Sequence, residues 1–403
     1  MKHTLLITLG FTLFLNSCEL DDTKPKTTET PKPFVPYALD VLNENSGYTI
    51  IYDSAYSINK LNTGVKGKIG LEDFTIDNSD ILNATYYTST PTQQDEFFSY
   101  HRINYHISSS SLLSYTTDGL GGKYFPYSDF LVKITTGGGG FGNPNWVQFK
   151  GDITASVSTV NYTGTPDLGF RAPVCNSVEG FGYFGKHDPS TQIQKGSSFA
   201  MLKGGVYQTF PLKPQINFHE VYNKEYYGIG YKKDTLLAYK INVDSNKSVL
   251  IQKFLAPISQ IYGGMETLRH YSDDGKKLAI MLKGYGLDNI IRYSTFTFNF
   301  ETQVFTKNIN EMLLPYSGTG TDIDLDEFGN IYYTGFAGNG SNTNGVSVYK
   351  LTSSGSATLV GNDNILKSGE IVGLKYINNK IYLAVTANQV GGNVHQISFI
   401  KQN

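Results

Sequence analysis

Short runs of apolar and aromatic residues alternate with glycine, asparagine and aspartate along most of the chain. Examples of five to seven residues are Tyr48–Tyr52, Phe130–Ile134, Leu236–Ile241 and Ser294–Phe300. Runs of β-branched and aromatic residues bounded by turn-forming residues are typical of β-strands. Only Asn308–Leu314 suggests a helical turn, and a loop is the alternative there. The pattern therefore predicts an all-β protein.

The C-terminal half repeats a pattern of strand, polar turn and strand. Four copies are visible, and they are Phe218–Ile229, Leu268–Ile280, Ile323–Tyr333 and Gly373–Leu383. A further strand pair is expected after each copy, and its clearest segments are Leu236–Ile241, Tyr293–Phe300, Val346–Leu351 and Gln396–Ile400. Four strands per unit is the composition of a propeller blade.

The copies recur at a nearly constant interval. Tyr226, Leu278, Ile331 and Ile381 occupy equivalent positions that lie 52, 53 and 50 residues apart. At that interval the chain from Val35 to Asn403 holds about seven units. We therefore predict a β-propeller of seven four-stranded blades. A pair of β-sandwiches is the alternative, but sandwiches do not normally repeat every fifty residues.

The N-terminal half shows the same kind of strand at unequal intervals. Its expected blade strands include Tyr48–Tyr52, Phe97–Tyr105, Phe130–Ile134 and Phe181–Phe184. Few charges and many glycines suit short strands and tight turns, since only 17% of the residues are charged and 42 are glycine. The formal net charge of −2 gives no electrostatic reason to expect binding to nucleic acid.

The N-terminus has the pattern of a secretory signal. Lys2 precedes an apolar run from Leu5 to Leu15, which is too short to span a bilayer. Ser17 and Cys18 follow, and this ending resembles a bacterial lipoprotein signal, although Asn16 departs from the small or β-branched residue usual there. The resemblance implies that Cys18 carries fatty acyl groups such as palmitate and becomes the mature N-terminus.

Three regions are therefore expected. Residues 1–17 are the signal peptide, residues 18–34 are the lipidated cysteine and a flexible tether, and residues 35–403 are the propeller domain. The tether prediction rests on a segment rich in threonine, proline, lysine and acids, with almost no apolar residues. The acyl group would hold the protein at the membrane.

The acidic residues after Cys18 are similar to the surface-export signal of Bacteroidota lipoproteins, since Glu19 is followed by Leu20, Asp21 and Asp22. Together with the lipoprotein signal and the blade repeats, they make the chain resemble the propeller lipoproteins of that phylum. Some of those proteins partner TonB-dependent outer-membrane transporters and capture iron-siderophore complexes or other nutrients. The resemblance implies a lipid-anchored protein of the outer membrane that faces outward.

Asp322, Asp324 and Asp326 occupy alternate positions, as the oxygen ligands of a calcium loop do. Alternation along a strand also places three such side chains on one face, and Glu327–Asn330 falls at the turn of the blade repeat. The other copies have no aspartates at these positions. We therefore interpret the segment as a solvated strand face and a turn, and expect no metal site and no cofactor.

Aromatic and basic residues recur in segments that should connect strands. From this group we select Tyr124, Tyr127, Arg171 and Arg269 as candidate ligand-binding residues. Loops gather around the central channel of a propeller, where aromatic rings and guanidinium groups would suit an anionic aromatic ligand such as a ferric siderophore. The alternative is that these are ordinary loop residues in a tyrosine-rich protein.

Three functions remain open. The first is a surface protein that binds a small-molecule nutrient for a TonB-dependent transporter, since a tether raises the effective concentration of a binder near its partner. The second is a propeller that binds or degrades glycans, as a lyase or hydrolase. The third is a protein-binding scaffold or adhesin. No metal or nucleophile pattern favours catalysis, so we expect no turnover and assign no catalytic residue.

The lipid anchor can be tested by changing Cys18. Cys18→Ala removes the expected site of acylation, so the protein should leave the membrane fraction while its domain stays folded. Membrane fractionation after a high-salt wash measures this. A variant that still sediments with membranes contradicts the lipoprotein prediction.

Overall fold

A computed structural model describes the chain over many short ranges. All described elements belong to Phe34–Asn403, one of two compact units, the other being Met1–Pro33. The described residues are 48–53, 69–91, 96–117, 123–124, 131–135, 146–150, 158–161, 180–184, 197–203, 206–212, 218–232, 234–242, 244–245, 247–256, 268–272, 274–285, 288, 290–314, 322–336, 346–363, 370–388 and 395–403. Within these ranges the regular elements are strands, so none is a helix able to cross a membrane.

The strands form antiparallel sheets that follow one another along the chain. The first strand, β1 (Tyr48–Asp53), belongs to the last sheet. Sheet 1 contains β2 (Ile69–Ile76), β3 (Ile81–Pro91), β4 (Glu96–His106) and β5 (Ser111–Thr117). Sheet 2 contains β6 (Lys123–Tyr124), β7 (Leu131–Thr135), β8 (Trp146–Lys150) and β9 (Ser158–Asn161). Sheet 3 has three described strands, β10 (Gly180–Phe184), β11 (Ser197–Lys203) and β12 (Val206–Leu212).

The four later sheets each have four described strands. Sheet 4 contains β13 (Phe218–Tyr222), β14 (Glu225–Lys232), β15 (Thr235–Asn242) and β16 (Lys247–Leu255). Sheet 5 contains β17 (Leu268–Tyr271), β18 (Lys277–Tyr285), β19 (Ile291–Asn299) and β20 (Val304–Met312). Sheet 6 contains β21 (Ile323–Leu325), β22 (Ile331–Phe336), β23 (Val346–Leu351) and β24 (Ala357–Asp363). Sheet 7 contains β25 (Glu370–Ile377), β26 (Lys380–Asn388), β27 (His395–Gln402) and β1.

The first strand of each sheet lies next to the first strands of neighbouring sheets. Contacts join β17 to β21, β21 to β25, β25 to β2, and β2 to β6, while β10 contacts β13. We call these first strands the inner strands. Sheets arranged around a shared set of inner strands form a β-propeller, so the predicted fold class is confirmed. The described residues form seven sheets, but sheet 3 has three described strands, so the number of four-stranded blades stays a prediction.

The end of the chain closes onto its beginning in sheet 7. β1 pairs antiparallel with β27, and Ile50 lies opposite Ile400. Ile51 and Tyr52 are buried, and the Tyr52 ring lies 5.1 Å from that of Tyr105 in sheet 1. This N-terminal strand therefore completes the last sheet and also packs against the first.

Hydrophobic cores fill the spaces between neighbouring sheets. One cluster joins sheets 7 and 1 through residues such as Phe399 and Phe74, whose ring centroids lie 5.3 Å apart. Another joins sheets 4 and 5 through Tyr227 and Phe300, and two more join sheet 6 to sheets 5 and 7. Burial of aliphatic and aromatic side chains between sheets is the main favourable contribution to this fold.

The four predicted repeat copies match the first two strands of sheets 4 to 7. The prediction for Asn308–Leu314 is wrong, because β20 extends through Asn308 to Met312. Ile309 lies opposite Thr295 of β19 and is buried in the core between sheets 5 and 6. The polar residues of this segment obscure, in the sequence, a strand whose buried side chains are Phe305 and Ile309.

The predicted turn at Gly329 is confirmed. Gly329 has a φ of +77°, and its N–H donates to the Asp326 carbonyl over 3.0 Å. A Cβ at this position would lie 2.4 Å from Asn308 Nδ2 and 3.2 Å from Asn308 Cβ. Glycine is therefore required here both by backbone conformation and by space.

Alanine substitutions at Gly329 and Gly275 should separate the effect of backbone conformation from the effect of limited space. Gly275 also has a positive φ, of +68°, but an added Cβ there has nothing within 4 Å. Gly329→Ala should lower the free energy of unfolding by more than Gly275→Ala, because both strain the backbone by on the order of 1–3 kcal/mol and only Gly329→Ala must also displace Asn308. Denaturant unfolding measures both. Equal losses would show that the contact with Asn308 is unimportant.

Candidate functional site

Five charged or titratable side chains lie on or beside the inner strands of sheets 1, 5, 6 and 7. We call them the inner charged group, and they are Asp73, His270, Asp322, Asp324 and Lys375. Asp73, His270 and Asp324 are buried, each less than a tenth exposed, whereas the Lys375 side chain is 37% exposed. Most of the charge therefore lies below the surface, and Lys375 is the cation that solvent or a ligand can reach.

Asp73 on β2 joins sheet 1 to the sheets on either side. Its Oδ1 lies 3.1 Å from Lys375 Nζ on β25 of sheet 7. Its Oδ2 accepts a hydrogen bond of 2.9 Å from the backbone N–H of Tyr124 on β6 of sheet 2. One buried carboxylate thus holds three consecutive inner strands together, and charge-assisted hydrogen bonds of this kind are stronger than neutral ones.

Aspartates of sheet 6 make the equivalent contact with sheet 7. Asp324 Oδ2 accepts a hydrogen bond of 2.7 Å from the backbone N–H of Tyr376. Asp322 Oδ2 accepts another from the N–H of Leu374. The first strand of a sheet lacks a partner strand on its inner side, so these carboxylates satisfy backbone donors that would otherwise face the channel.

The interpretation of Asp322–Asp326 as a solvated strand face is wrong, although the predicted turn is present. Asp324 is 7% exposed and Asp326 is 1% exposed. Asp326 Oδ1 accepts hydrogen bonds from the N–H groups of Phe328 and Asn330, at 3.0 and 2.9 Å, and thereby fixes the turn. No described group of three or more acidic, histidine or cysteine side chains is arranged to hold a metal ion.

A sequence signal for these contacts exists but was missed. The segments Asp73–Asp77 and Asp322–Asp326 share the pattern aspartate, apolar, polar, apolar, aspartate. In both, the first aspartate binds the next inner strand and the last one fixes the turn, since Asp77 Oδ1 accepts N–H groups of Ser79 and Ile81. The two segments lie in sheets that are not adjacent along the chain, so the repeat is visible only when blades are aligned by their turns.

Burial shifts the protonation of the inner charged group. Burial raises the pKa of Asp324 to about 7, against the opposing effects of Lys375 and of the Tyr376 N–H. Burial lowers the pKa of Lys375, but the Asp73 and Asp324 carboxylates outweigh that effect and hold the pKa above its usual value. Lys375 is therefore charged at neutral pH, while Asp324 exchanges its proton near neutrality.

His270 on β17 borders this group and is neutral at pH 7. Burial lowers its pKa to about 4, with the Asp326 charge opposing and the Lys375 charge reinforcing the shift. Its ring packs edge-on against Tyr376, with centroids 5.5 Å apart, and Tyr376 stacks on Tyr332 at 4.8 Å. His270 thus contributes a neutral, buried imidazole that joins sheet 5 to sheet 7.

The predicted ligand-binding residues fall in different places. Tyr124 is buried at the end of β6, and its hydroxyl lies 2.8 Å from Thr85 Oγ1. Arg102, itself fully buried, lies 5.9 Å from the centre of the Tyr124 ring. Arg269 is the second residue of β17 in sheet 5, where it lies opposite Ile280, whereas Tyr124 belongs to sheet 2. Tyr127, Arg171 and Cys18 lie outside the described residues, and a site shared by the four predicted binding residues stays a prediction.

The two ends of the sheets differ in their connections. At one end, short turns link the first strand to the second, as Asn223–Lys224 does in sheet 4 and Asn378–Asn379 in sheet 7. At the other end, the last strand of one sheet ends and the first strand of the next sheet begins, as β16 at Leu255 and β17 at Leu268 do, so the connections that start there are longer in sequence. Binding residues are concentrated on long connections held by a rigid scaffold. We call the second end the long-connection end.

A surface cavity of about 490 Å³ lies on sheet 4, away from the inner strands. Its lining includes Glu225, Lys240, Val249 and Ile251, from β14, β15 and β16. The Lys240 ammonium and the Glu225 carboxylate form an ion pair there, and each side chain is more than two-fifths exposed. This open groove of mixed charge has no buried polar group comparable to the inner charged group.

The chain is similar in architecture to several solved propellers, at low sequence identity. The β-propeller domain of the Trilobed protease from Pyrococcus furiosus matches with a TM-score of 0.47 and 9% identity, over 84% of this chain and 94% of that one. The polysaccharide lyase Uly1 matches with a TM-score of 0.42 and 11% identity, over 85% and 90%. An oligogalacturonate lyase in complex with manganese matches with a TM-score of 0.37 and 12% identity, over 83% and 98%. No protein-family model and no curated protein sequence matches this chain.

The raised pKa of Asp324 predicts a specific dependence of stability on pH. Between about pH 4 and pH 7 the folded protein keeps a proton on Asp324 that the unfolded chain has lost, so this group's contribution to stability falls as pH rises. Relative to Asp324→Asn, the wild type should lose on the order of 4 kcal/mol of unfolding free energy across that window and little above it.

A matched comparison uses Asp288, an exposed carboxylate whose pKa is held below its usual value by hydrogen bonds from Arg292 and from the Ile290 N–H. The difference between the wild type and Asp288→Asn should stay constant from pH 5 to pH 8. Denaturant unfolding at several pH values measures both differences. A wild type that gains stability relative to Asp324→Asn as pH rises would show that Lys375 keeps Asp324 ionised.

Proposed function

We propose that this protein is a surface lipoprotein that binds an extracellular nutrient at the centre of its propeller for a TonB-dependent transporter. The ligand contacts Lys375 on β25, with Asp322, which is only partly buried, as a neighbouring hydrogen-bond acceptor. The lipoprotein signal at Cys18, the acidic residues after it and the tether support the location and the transporter partner. The inner charged group supports the binding position.

The proposal rests mainly on the position of Lys375. This partly exposed cation on β25 is held in place by the buried Asp73 carboxylate on β2, 3.1 Å away, and both strands are inner strands. The Lys375 side chain is fixed before any ligand arrives, which lowers the entropic cost of binding. Concave sites with a few fixed polar groups among aromatic residues are the usual form of small-molecule sites.

The described charges favour a hydroxyl-rich ligand such as a glycan over a ferric siderophore. Asp73, Asp322 and Asp324 surround the single lysine of the inner charged group, so carboxylates outnumber the cation there. An anionic siderophore would be repelled by negative charge on these carboxyl groups, whereas sugar hydroxyls can donate to a carboxylate such as that of Asp322 and accept from Lys375. The siderophore remains the alternative ligand, and it would need the predicted residues Tyr127 and Arg171.

Glycan hydrolysis is a second candidate function. Glycosidases use two carboxyl groups whose environments separate their pKa values, one protonated and one ionised. Asp324, with a pKa raised to about 7 by burial, has the protonation that a proton donor needs at neutral pH. Its 7% exposure and its hydrogen bond from Tyr376 favour a structural role instead, so binding without turnover is the proposal.

Calorimetric titration of the full chain carrying Cys18→Ala tests the proposal. The titrants are a panel of neutral and acidic oligosaccharides and a set of ferric catecholate siderophores. We expect micromolar or tighter binding of one or more oligosaccharides, with no shortening of the sugar when the mixture is analysed by chromatography. Lys375→Met should weaken that binding at least about tenfold, a change of about 1.4 kcal/mol.

Lys350→Met is the matched control. Lys350 is also about one-third exposed and lies 3.5 Å from the buried carboxylate of Asp326, but it belongs to β23, which is not an inner strand. The Lys350→Met protein should bind the ligand as tightly as the wild type. If the methionine variant does not fold, Lys375→Arg decides the question. It keeps a charge beside Asp73 but changes the shape and position of the donors, so it should also weaken binding. Siderophore binding alone would overturn the glycan preference, cleavage would establish an enzyme, and binding unaffected by either Lys375 variant would overturn the binding position.

A further inference from the structure

We infer that sheet 1 carries a second contact site for the same ligand, formed by Tyr87, Tyr100 and Glu72. This inference rests on the proposed binding of a hydroxyl-rich ligand and specifies how sugar rings are recognised. The three residues lie on the three innermost strands of sheet 1, close to the long-connection end. We call them the tyrosine pair and its carboxylate.

The position of the tyrosine pair follows from the strand register. Tyr87 of β3 lies directly opposite Tyr100 of β4 and directly opposite Gly70 of β2. Residues directly opposite one another share a face of the sheet. Tyr87 is four residues from the end of β3 and Tyr100 is four residues into β4, so both lie near the connection between these strands.

The two rings are close, and both are only partly buried. Their centroids lie 6.1 Å apart with an angle of 61° between the planes, which is an edge-to-face arrangement. Many other tyrosines of the described core, such as Tyr86 and Tyr227, are buried almost completely. The tyrosine pair therefore has ring surface that a ligand can cover.

Gly70 provides the space in which the Tyr87 ring lies. A Cβ added to Gly70 would lie 2.3 Å from Tyr87 Cζ and 2.4 Å from its hydroxyl oxygen. The ring therefore rests against the backbone of an inner strand instead of standing away from the sheet. Gly70 acts as a positioning residue, because any side chain there would displace the ring.

Glu72 occupies a β-bulge of the inner strand. Leu71 lies opposite Tyr86 and Asp73 lies opposite Thr85, so Glu72 is the additional residue between two consecutive pairs. Bulges change the direction of a side chain and are frequent beside functional sites. Burial raises the pKa of Tyr100, and the charge of Glu72 raises it further.

Two aromatic rings beside a carboxylate match the chemistry of a sugar ring. One face of a pyranose carries C–H groups, which pack against the electron-rich face of an aromatic ring. The hydroxyl groups at its edge donate to a carboxylate such as that of Glu72. Glu72 is adjacent in the chain to Asp73, so a ligand of two or more sugar units could contact both this site and Lys375.

Calorimetry with the panel oligosaccharides tests the inference in the full chain carrying Cys18→Ala. Tyr87→Ala should weaken binding about tenfold, whereas Tyr87→Phe, which keeps the ring, should stay within about twofold of the wild type. Gly70→Ala should weaken binding although it adds a single methyl group far smaller than the ligand. Glu72→Gln should weaken binding as well. If Tyr87→Ala does not fold, Glu72→Gln and Tyr100→Ala test the inference in its place.

Tyr349→Ala is the matched control, because Tyr349 is another partly buried tyrosine in a ring pair, 5.3 Å from Tyr333 in sheet 6. It should bind the ligand like the wild type. The inference is overturned if Tyr87→Ala and Glu72→Gln both fold and both bind the ligand as tightly as the wild type. If Lys375→Met still weakens binding in that case, the proposed function stands. Failure of every oligosaccharide to bind the wild type would overturn both.

Discussion

The inner strands of this propeller have backbone N–H groups that no strand of their own sheet can satisfy. In β6 and β25, aspartates of the preceding sheet accept hydrogen bonds from such groups. Asp73 accepts the N–H of Tyr124, and Asp322 and Asp324 accept those of Leu374 and Tyr376. An unsatisfied buried donor costs about 1–3 kcal/mol, so these contacts add to apolar packing in holding adjacent sheets in register.

The same carboxylates determine the electrostatics of the channel. Three aspartates placed close together near the axis need a compensating charge, and Lys375 supplies it from β25. The compensation is incomplete, because burial still raises the pKa of Asp324 to about 7. Among the described residues, a structural requirement at the inner strands thus produces a fixed, polar and mostly acidic environment, which supports the proposal of a hydroxyl-rich ligand.

The sequence predicted the regular part of this architecture well. The 50-residue repeat located the strand pairs of sheets 4 to 7, because their turns at Gly275, Gly329 and Asn378–Asn379 leave a recognisable polar interval between apolar runs. The strand at Asn308 was missed because its outward side chains are polar. The inner charged group was missed for a different reason: Asp73 and Lys375 are 302 positions apart and meet only because sheet 7 closes against sheet 1.

Amide hydrogen exchange at single residues tests the central claim most directly. If the Asp73 carboxylate satisfies the next inner strand, Asp73→Ala should greatly accelerate exchange at the Tyr124 amide. The Leu374 and Tyr376 amides, bound by aspartates of another sheet, should exchange as in the wild type. Unchanged protection of Tyr124 in a folded Asp73→Ala protein would contradict the account.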